Sequence, residues 1–186
     1  MKKVLFAAFL LVSSNAIFAQ INQGQFMVGG NINFDYSKHG DDDDNKITTF
    51  GVNPNVGYFF IDKLAAGLRL GYGRQKIKSE DDATSDFNLA PFLRYYFLDA
   101  AQKVNVFVDG SYGFGSSGGD DKTSYNFFQA MAGPAFFLTP NTALEFALYY
   151  RSSGGDLYGD DDRLNNFGIN IGFQIHLGRG GSGTMK

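Results

Sequence analysis

Beyond residue 20 the chain alternates apolar and polar side chains with period two. Phe26, Val28, Ile32, Phe34 and Tyr36 share one parity, and so do Phe50, Val52, Val56, Tyr58 and Phe60. That period marks strands with one apolar face. Eight such segments occur, at roughly 25–36, 47–61, 64–75, 86–98, 103–114, 125–138, 143–151 and 165–177. The connections alternate in kind. I-D-K, L-D-A-A-Q-K and T-P-N-T are short; the others are long and carry Asp41–Asp44, Glu80–Asp82, Asp120–Asp121 and Asp160–Asp162. A repeat of about 40 residues is therefore a repeat of hairpin pairs. The predicted fold is all-β: an eight-stranded antiparallel up-and-down transmembrane barrel with every long loop at one end.

The two faces decide which solvent surrounds the barrel. The apolar face runs through Leu64, Leu68, Leu70, Leu89, Leu93, Val104, Val106, Leu144, Phe146, Ile169, Ile171 and Ile175 without a charge. Its aromatics gather at two heights: Tyr58, Phe60, Tyr95, Phe97, Phe136 and Phe173 toward the short turns, and Phe34, Tyr36, Tyr72, Phe87, Tyr112, Phe114, Tyr150 and Phe167 toward the long loops. Two girdles around an aliphatic band are the signature of a barrel in lipid. The opposite face is Gly, Asn and Gln with few charges and no lysine. Small residues suit an eight-stranded interior, which side chains just fill. A closed ladder also satisfies the backbone in hydrocarbon. Pro54, Pro91 and Pro134 fall inside strands, and bulges are the expected accommodation.

The first residues, M-K-K-V-L-F-A-A-F-L-L-V-S-S-N-A-I-F-A-Q, read as a secretory signal. Lys2 and Lys3 precede an apolar core too short for a spanning helix, and small residues follow. The expected organisation is a cleaved signal over 1–19, a barrel over 20–177 and a flexible tail over 178–186. Removing Lys2 and Lys3 moves the formal charge from −3 to −5, which disfavours nucleic acid as a partner. Cysteine is absent, so no disulfide holds the fold.

The endings P-N-V-G-Y-F-F-I-D-K-L-A-A-G and P-F-L-R-Y-Y-F-L-D, with P-A-F-F-L-T-P-N-T-A-L as a third copy, carry a resemblance. The chain resembles the small OmpA/OmpX-like outer-membrane β-barrel proteins of Gram-negative bacteria, and looks most like the porin-family barrel domain common in Bacteroidetes. The resemblance implies residence in the outer membrane and assembly by the outer-membrane insertion machinery. The usual assembly signal is a last strand ending in an aromatic residue. Here F-G-I-N-I-G-F-Q-I-H-L runs on into G-R-G-G-S-G-T-M-K, a departure from that pattern.

Candidate chemistry is sparse. Arg69, Arg94, Asp109 and Glu145 lie on the inward parity of four strands at similar heights, and are expected to pair across the lumen because unpaired charges there are costly. Asp41, Asp42, Asp43, Asp44, Asp160, Asp161 and Asp162 are candidates for weak divalent-cation association, with no specific metal site. An EF-hand is excluded because Lys46 stands where that loop needs Gly. His39 and His176 are the two histidines, and Ser37 beside His39 lacks anything to orient it as a dyad. No catalytic residue and no cofactor is expected. The expected role is structural or surface-interactive through acidic loops around a barrel with no open pore. The expected partners are outer-membrane lipid and lipopolysaccharide, with the protein a monomer. A barrel binding a hydrophobic ligand and a lipid-modifying enzyme are the alternatives.

Overall fold

The computed structural model describes residues 21–38, 46–77, 83–100, 102–119 and 121–178, with backbone alone at 33–38, 46–49, 77 and 159–162. The strands are β1 (Phe26–Lys38), β2 (Lys46–Ile61), β3 (Leu64–Ile77), β4 (Ala83–Tyr96), β5 (Val104–Gly118), β6 (Lys122–Thr139), β7 (Thr142–Gly155) and β8 (Gly159–Leu177). Each pairs antiparallel with the next, and β1 pairs with β8 to close the barrel. Among the described residues no helix is long and apolar enough to cross a membrane, which says nothing of a β-barrel.

The parity of the sequence becomes an inside and an outside. On β4 and β5 exposed and buried positions alternate almost without exception. Phe26, Ile32, Val56, Leu68, Leu89, Leu93, Leu148 and Ile169 face outward and are exposed, while Asn55, Asn88, Arg94, Asn105, Asp109, Glu145 and Gln174 are buried inside. An apolar exterior around a polar interior has its free-energy minimum in hydrocarbon, not water.

The three prolines do not form bulges. The β2–β3 ladder skips Asn53 and Pro54, β4–β5 skips Ala90 and Pro91, and β6–β7 skips Gly133 and Pro134, each resuming in an unchanged register. A proline lacks its N–H, so one stretch of ladder opens on one side and no residue is inserted. The register shifts lie elsewhere, at Phe59/Ile61, Phe137/Thr139 and Ser153/Gly155, next to connections. There a shift re-aims the strand into its turn.

Strand β1 is preceded by a segment that enters the short-turn end of the barrel. Ile21 and Gln25 are fully buried. Gly24 N–H donates to Phe59 O, Phe59 N–H to Gln25 O, and Lys63 N–H to Ile21 O. Ile21 thus packs with Met27, Phe59, Tyr96, Phe107 and Ala143 as an apolar floor.

Candidate functional site in the barrel lumen

Strands β3, β4, β5 and β7 each send one charged side chain to the same level of the lumen. Arg94 donates from Nη1 to both Glu145 oxygens, at 2.7 and 2.8 Å, and from Nε to Asp109 Oδ2 at 3.1 Å. Arg69 donates to both Asp109 oxygens, at 3.2 and 3.0 Å. The Tyr96 hydroxyl donates to Glu145 Oε1 at 3.0 Å. Two cations face two carboxylates, so the cluster is formally neutral. Both guanidinium planes lie over aromatic rings: Arg94 over Phe107 at 4.3 Å and Arg69 over Phe92 at 4.9 Å. Charge-assisted bonds in two directions and a ring beneath leave each arginine little freedom. The cluster spans the lumen from β3 to β7.

On the long-loop side of the cluster the lumen opens into a polar cavity of about 480 Å³, with Asn31, Asn53, Asn55, Asn88 and Asn170 in its walls. Its upper wall holds a second polar group. The Tyr125 hydroxyl donates to Asp86 Oδ2 at 2.6 Å, and Asn88 donates to Asp86 Oδ1 at 3.0 Å. Arg151 stacks 3.6 Å above the Phe127 ring. Asp86 and Arg151, the end residues of the predicted segments 86–98 and 143–151, belong to strands and face the lumen. Their carboxylate and guanidinium are drawn inside by a phenol and a ring.

On the short-turn side lies the apolar floor, and His176 sits in it. Its ring packs against Phe59, Tyr96 and Phe137 at 5.5–6.1 Å, and neither ring nitrogen has a protein partner. Among the described residues no serine or carboxylate is hydrogen-bonded to it.

The four network residues, Arg69, Arg94, Asp109 and Glu145, are thus brought together. Asp41, Asp42, Asp43 and Asp44 lie outside the described residues, as do His39, the segment 1–20 and the tail from 179. Asp160, Asp161 and Asp162 lie on β8, with backbone alone described. Among the described residues no group of three or more His, Asp or Glu is placed to hold a metal. Face reading did not list the inward aromatics Phe59, Phe92, Tyr96, Phe107, Tyr125 and Phe127, on which the charges rest. A usable signal existed, because Phe59 beside Phe60, and Tyr96 between Tyr95 and Phe97, must point opposite ways.

At the short-turn surface Lys63 Nζ meets Asp99 Oδ1 at 2.7 Å and ties two turns together. Their mutual hydrogen bond raises the lysine pKa and lowers that of the aspartate. The depressed carboxylate gives a contribution present above the ordinary Asp range and lost as pH falls through the folded value. The raised ammonium gives one present below the ordinary Lys range and lost as pH rises through its folded value. The pair is exposed, so its effect is small. Asp99→Asn is expected to leave unfolding midpoints almost unchanged at neutral pH, and a large neutral-pH loss would contradict that.

Comparison with known proteins gives a consistent result. A family model described as outer membrane protein beta-barrel domain matches residues 4–174. No curated protein matches the chain. Among solved structures, Neisserial surface protein A is similar at 14% identity with a TM-score of 0.56, covering 82% of this chain and 97% of that one. OprG from Pseudomonas aeruginosa is similar at 12% identity and 0.55, covering 86% and 99%. The N-terminal barrel domain of Pseudomonas aeruginosa OprF follows at 15% and 0.51, covering 83% and 98%. At such identities these likenesses establish the fold alone.

Proposed function

From the premise that this chain belongs to the outer membrane protein β-barrel domain family, we propose that it is a plugged barrel that holds acidic loops at the cell surface. It resides in the outer membrane. The observation that carries the plug is the charge cluster Arg69–Asp109–Arg94–Glu145, spanning the lumen above a floor sealed by Ile21, Phe59 and Tyr96. A solute crossing from end to end would have to break charge-assisted bonds and displace packed rings. The test is conductance. Purified protein in planar bilayers is expected to give no sustained open channel, and a steady ohmic conductance in the wild type would refute the plug.

The short turns and both termini are periplasmic in this reading, and the long loops are external. Loops one to four then carry −2, −1, −1 and −2 when strand-end charges are counted with them. Moving Asp86 and Arg151 into the lumen makes the second loop neutral and the fourth −3. The rim stays acidic. Lipopolysaccharide phosphates at that height would repel it unless divalent cations lie between, so the reading includes weak, distributed Ca²⁺ or Mg²⁺ association at Asp41–Asp44 and Asp160–Asp162. Replacing Asp41–Asp44 with asparagine is expected to leave folding intact and to lessen the protection that calcium gives the loops from protease on whole cells. Absence of calcium protection in the wild type would leave the aspartates as solvating charge only.

No catalytic role is proposed. His176 is walled in by rings, and His39 stands beside Ser37 and Lys38 with no sequence partner that would orient it as a base. The partners of this reading are membrane lipid, lipopolysaccharide and, during assembly, the insertion machinery. Nucleic acid is excluded by charge, and the protein acts as a monomer. A closed barrel is also expected to run faster on cold detergent gels unheated than boiled, because its ladder bonds are internal. Identical migration would contradict closure.

A further inference from the structure

The seam that closes the barrel is short. Phe26–Gly30 of β1 pair with Leu177–Phe173 of β8, and above Gly30 and Phe173 no further β1–β8 pair forms among the described residues. Both strands continue: β1 to Lys38 against β2, and β8 up to Gly159 against β7. The two edges therefore part near mid-height, where Ile32 lies opposite Val52 between the two girdles. Gly30 sits at the parting with φ +145 and abuts Asn53 O, a place only glycine fits.

The parting leaves an apolar groove of about 540 Å³ on the lipid face, walled by Ile32, Val52, Pro54, Leu144, Ile171 and Phe173. Gly30, Asn31, Asn53 and Gly172 line this groove and the polar lumen cavity alike. The two spaces thus adjoin across the parted seam, a window in the β1–β8 ladder. Unpaired backbone at membrane depth is tolerated where it lines a polar cavity, and not where it faces acyl chains directly.

We propose that this window is a binding site for a single-chain amphiphile with an uncharged, hydrogen-bonding head. Its acyl chain lies in the groove, and its head passes between β1 and β8 to the amide of Asn31. The surrounding medium supplies the chain, since the groove opens into hydrocarbon. The head is uncharged because the lumen charges beside the window are already matched, two cations against two carboxylates. A two-chain lipid would leave its second chain outside the groove. The site needs no path through the barrel, so it stands whether or not the lumen is plugged.

Gly172 offers a way to close the window without disturbing the fold. A Cβ there would meet Asn170 Oδ1 and Gly30 O at 3.6 Å and Glu145 Oε2 at 3.7 Å, all ordinary contacts. Gly172→Met is therefore expected to fold and fill the opening from inside. The test uses the full-length protein in phosphatidylcholine nanodiscs and a monoacylglycerol with a diazirine in mid-chain. After photolysis, adducts on Ile32, Val52, Leu144 and Ile171 are expected to exceed those on Leu89 and Val108 across the barrel by about tenfold. Excess unlabelled monoacylglycerol should remove the difference, and Gly172→Met, with its heat-shifted band retained, should reduce it about tenfold. Should that variant fail to fold, Asn31→Leu replaces it, deleting one head contact with the same expected loss. Even labelling around the girdle, labelling that excess ligand does not displace, or equal preference from a diazirine phosphatidylcholine would each overturn the proposal. So would undiminished labelling in a folded window variant.

Discussion

Arg94→Leu is expected to cost about 3–5 kcal/mol of barrel stability, the usual consequence of stranding a buried charge. Arg94 is the only cation bonded to Glu145 among the described residues; without it that carboxylate keeps the Tyr96 hydroxyl alone. Asp109 is less affected because Arg69 still holds both its oxygens. The comparison is Lys122→Leu at the exposed start of β6, where a lost surface charge is worth a few tenths of that. Urea midpoints read by gel shift should separate the two variants widely. Equal midpoints would sink the network.

The same geometry fixes a second-site result. If the loss comes from a stranded carboxylate, removing the carboxylate should repair it. Arg94→Leu combined with Glu145→Leu is then expected to recover much of the midpoint, since an apolar replacement of a whole buried pair is often neutral. If the loss came instead from the Arg94 stacking on Phe107, the double variant would stay as weak as the single one. The pair of variants thus tells charge pairing from packing.

What the sequence revealed and what it hid follow from which physical signal survives alternation. Strands facing lipid on one side and a filled lumen on the other show parity plainly, and all eight were legible. Their outer ends were not. Lys76–Ile77 and Gly115–Gly118 extend the ladder beyond the predicted segments, where neither side chains nor solvent distinguish the faces. The same holds at the start of β8, where an acidic run that reads as loop lies within the strand, between Gly159, paired with Gly155, and Leu164, paired with Ser153. The interior charges stood out by type, whereas the rings beneath them, Phe92 between Pro91 and Leu93 and Phe107 between Val106 and Val108, were masked by apolar neighbours of the opposite parity. The prolines misled because a missing N–H predicts an interrupted ladder and does not require an inserted residue. The short β1–β8 seam was not readable at all, since pairing between chain-distant strands leaves no local periodicity. Gly29–Gly30 marks it only in hindsight.

Gly133→Val is expected to prevent barrel closure, while Gly110→Ala is tolerated. Gly133 lies where the β6–β7 ladder skips, beside Pro134, and a Cβ there would overlap Phe146 O and crowd Ala147 Cα at 2.8 Å. The obstacle is backbone on the neighbouring strand, so no side-chain rotation relieves it. β7 would have to move away from β6, opening ladder bonds in hydrocarbon where nothing replaces them. A loss above ~4 kcal/mol is the expected scale, and the β-branched side chain of valine adds to it by restricting rotamers. At Gly110 an added Cβ meets no atom within 4 Å, and the position is exposed on the outward face of β5, so a methyl there enters lipid. The heat-shifted band on cold gels is the readout: absent in Gly133→Val and unchanged in Gly110→Ala. A normal shift in Gly133→Val would mean that β6 and β7 do not approach as closely as this packing requires.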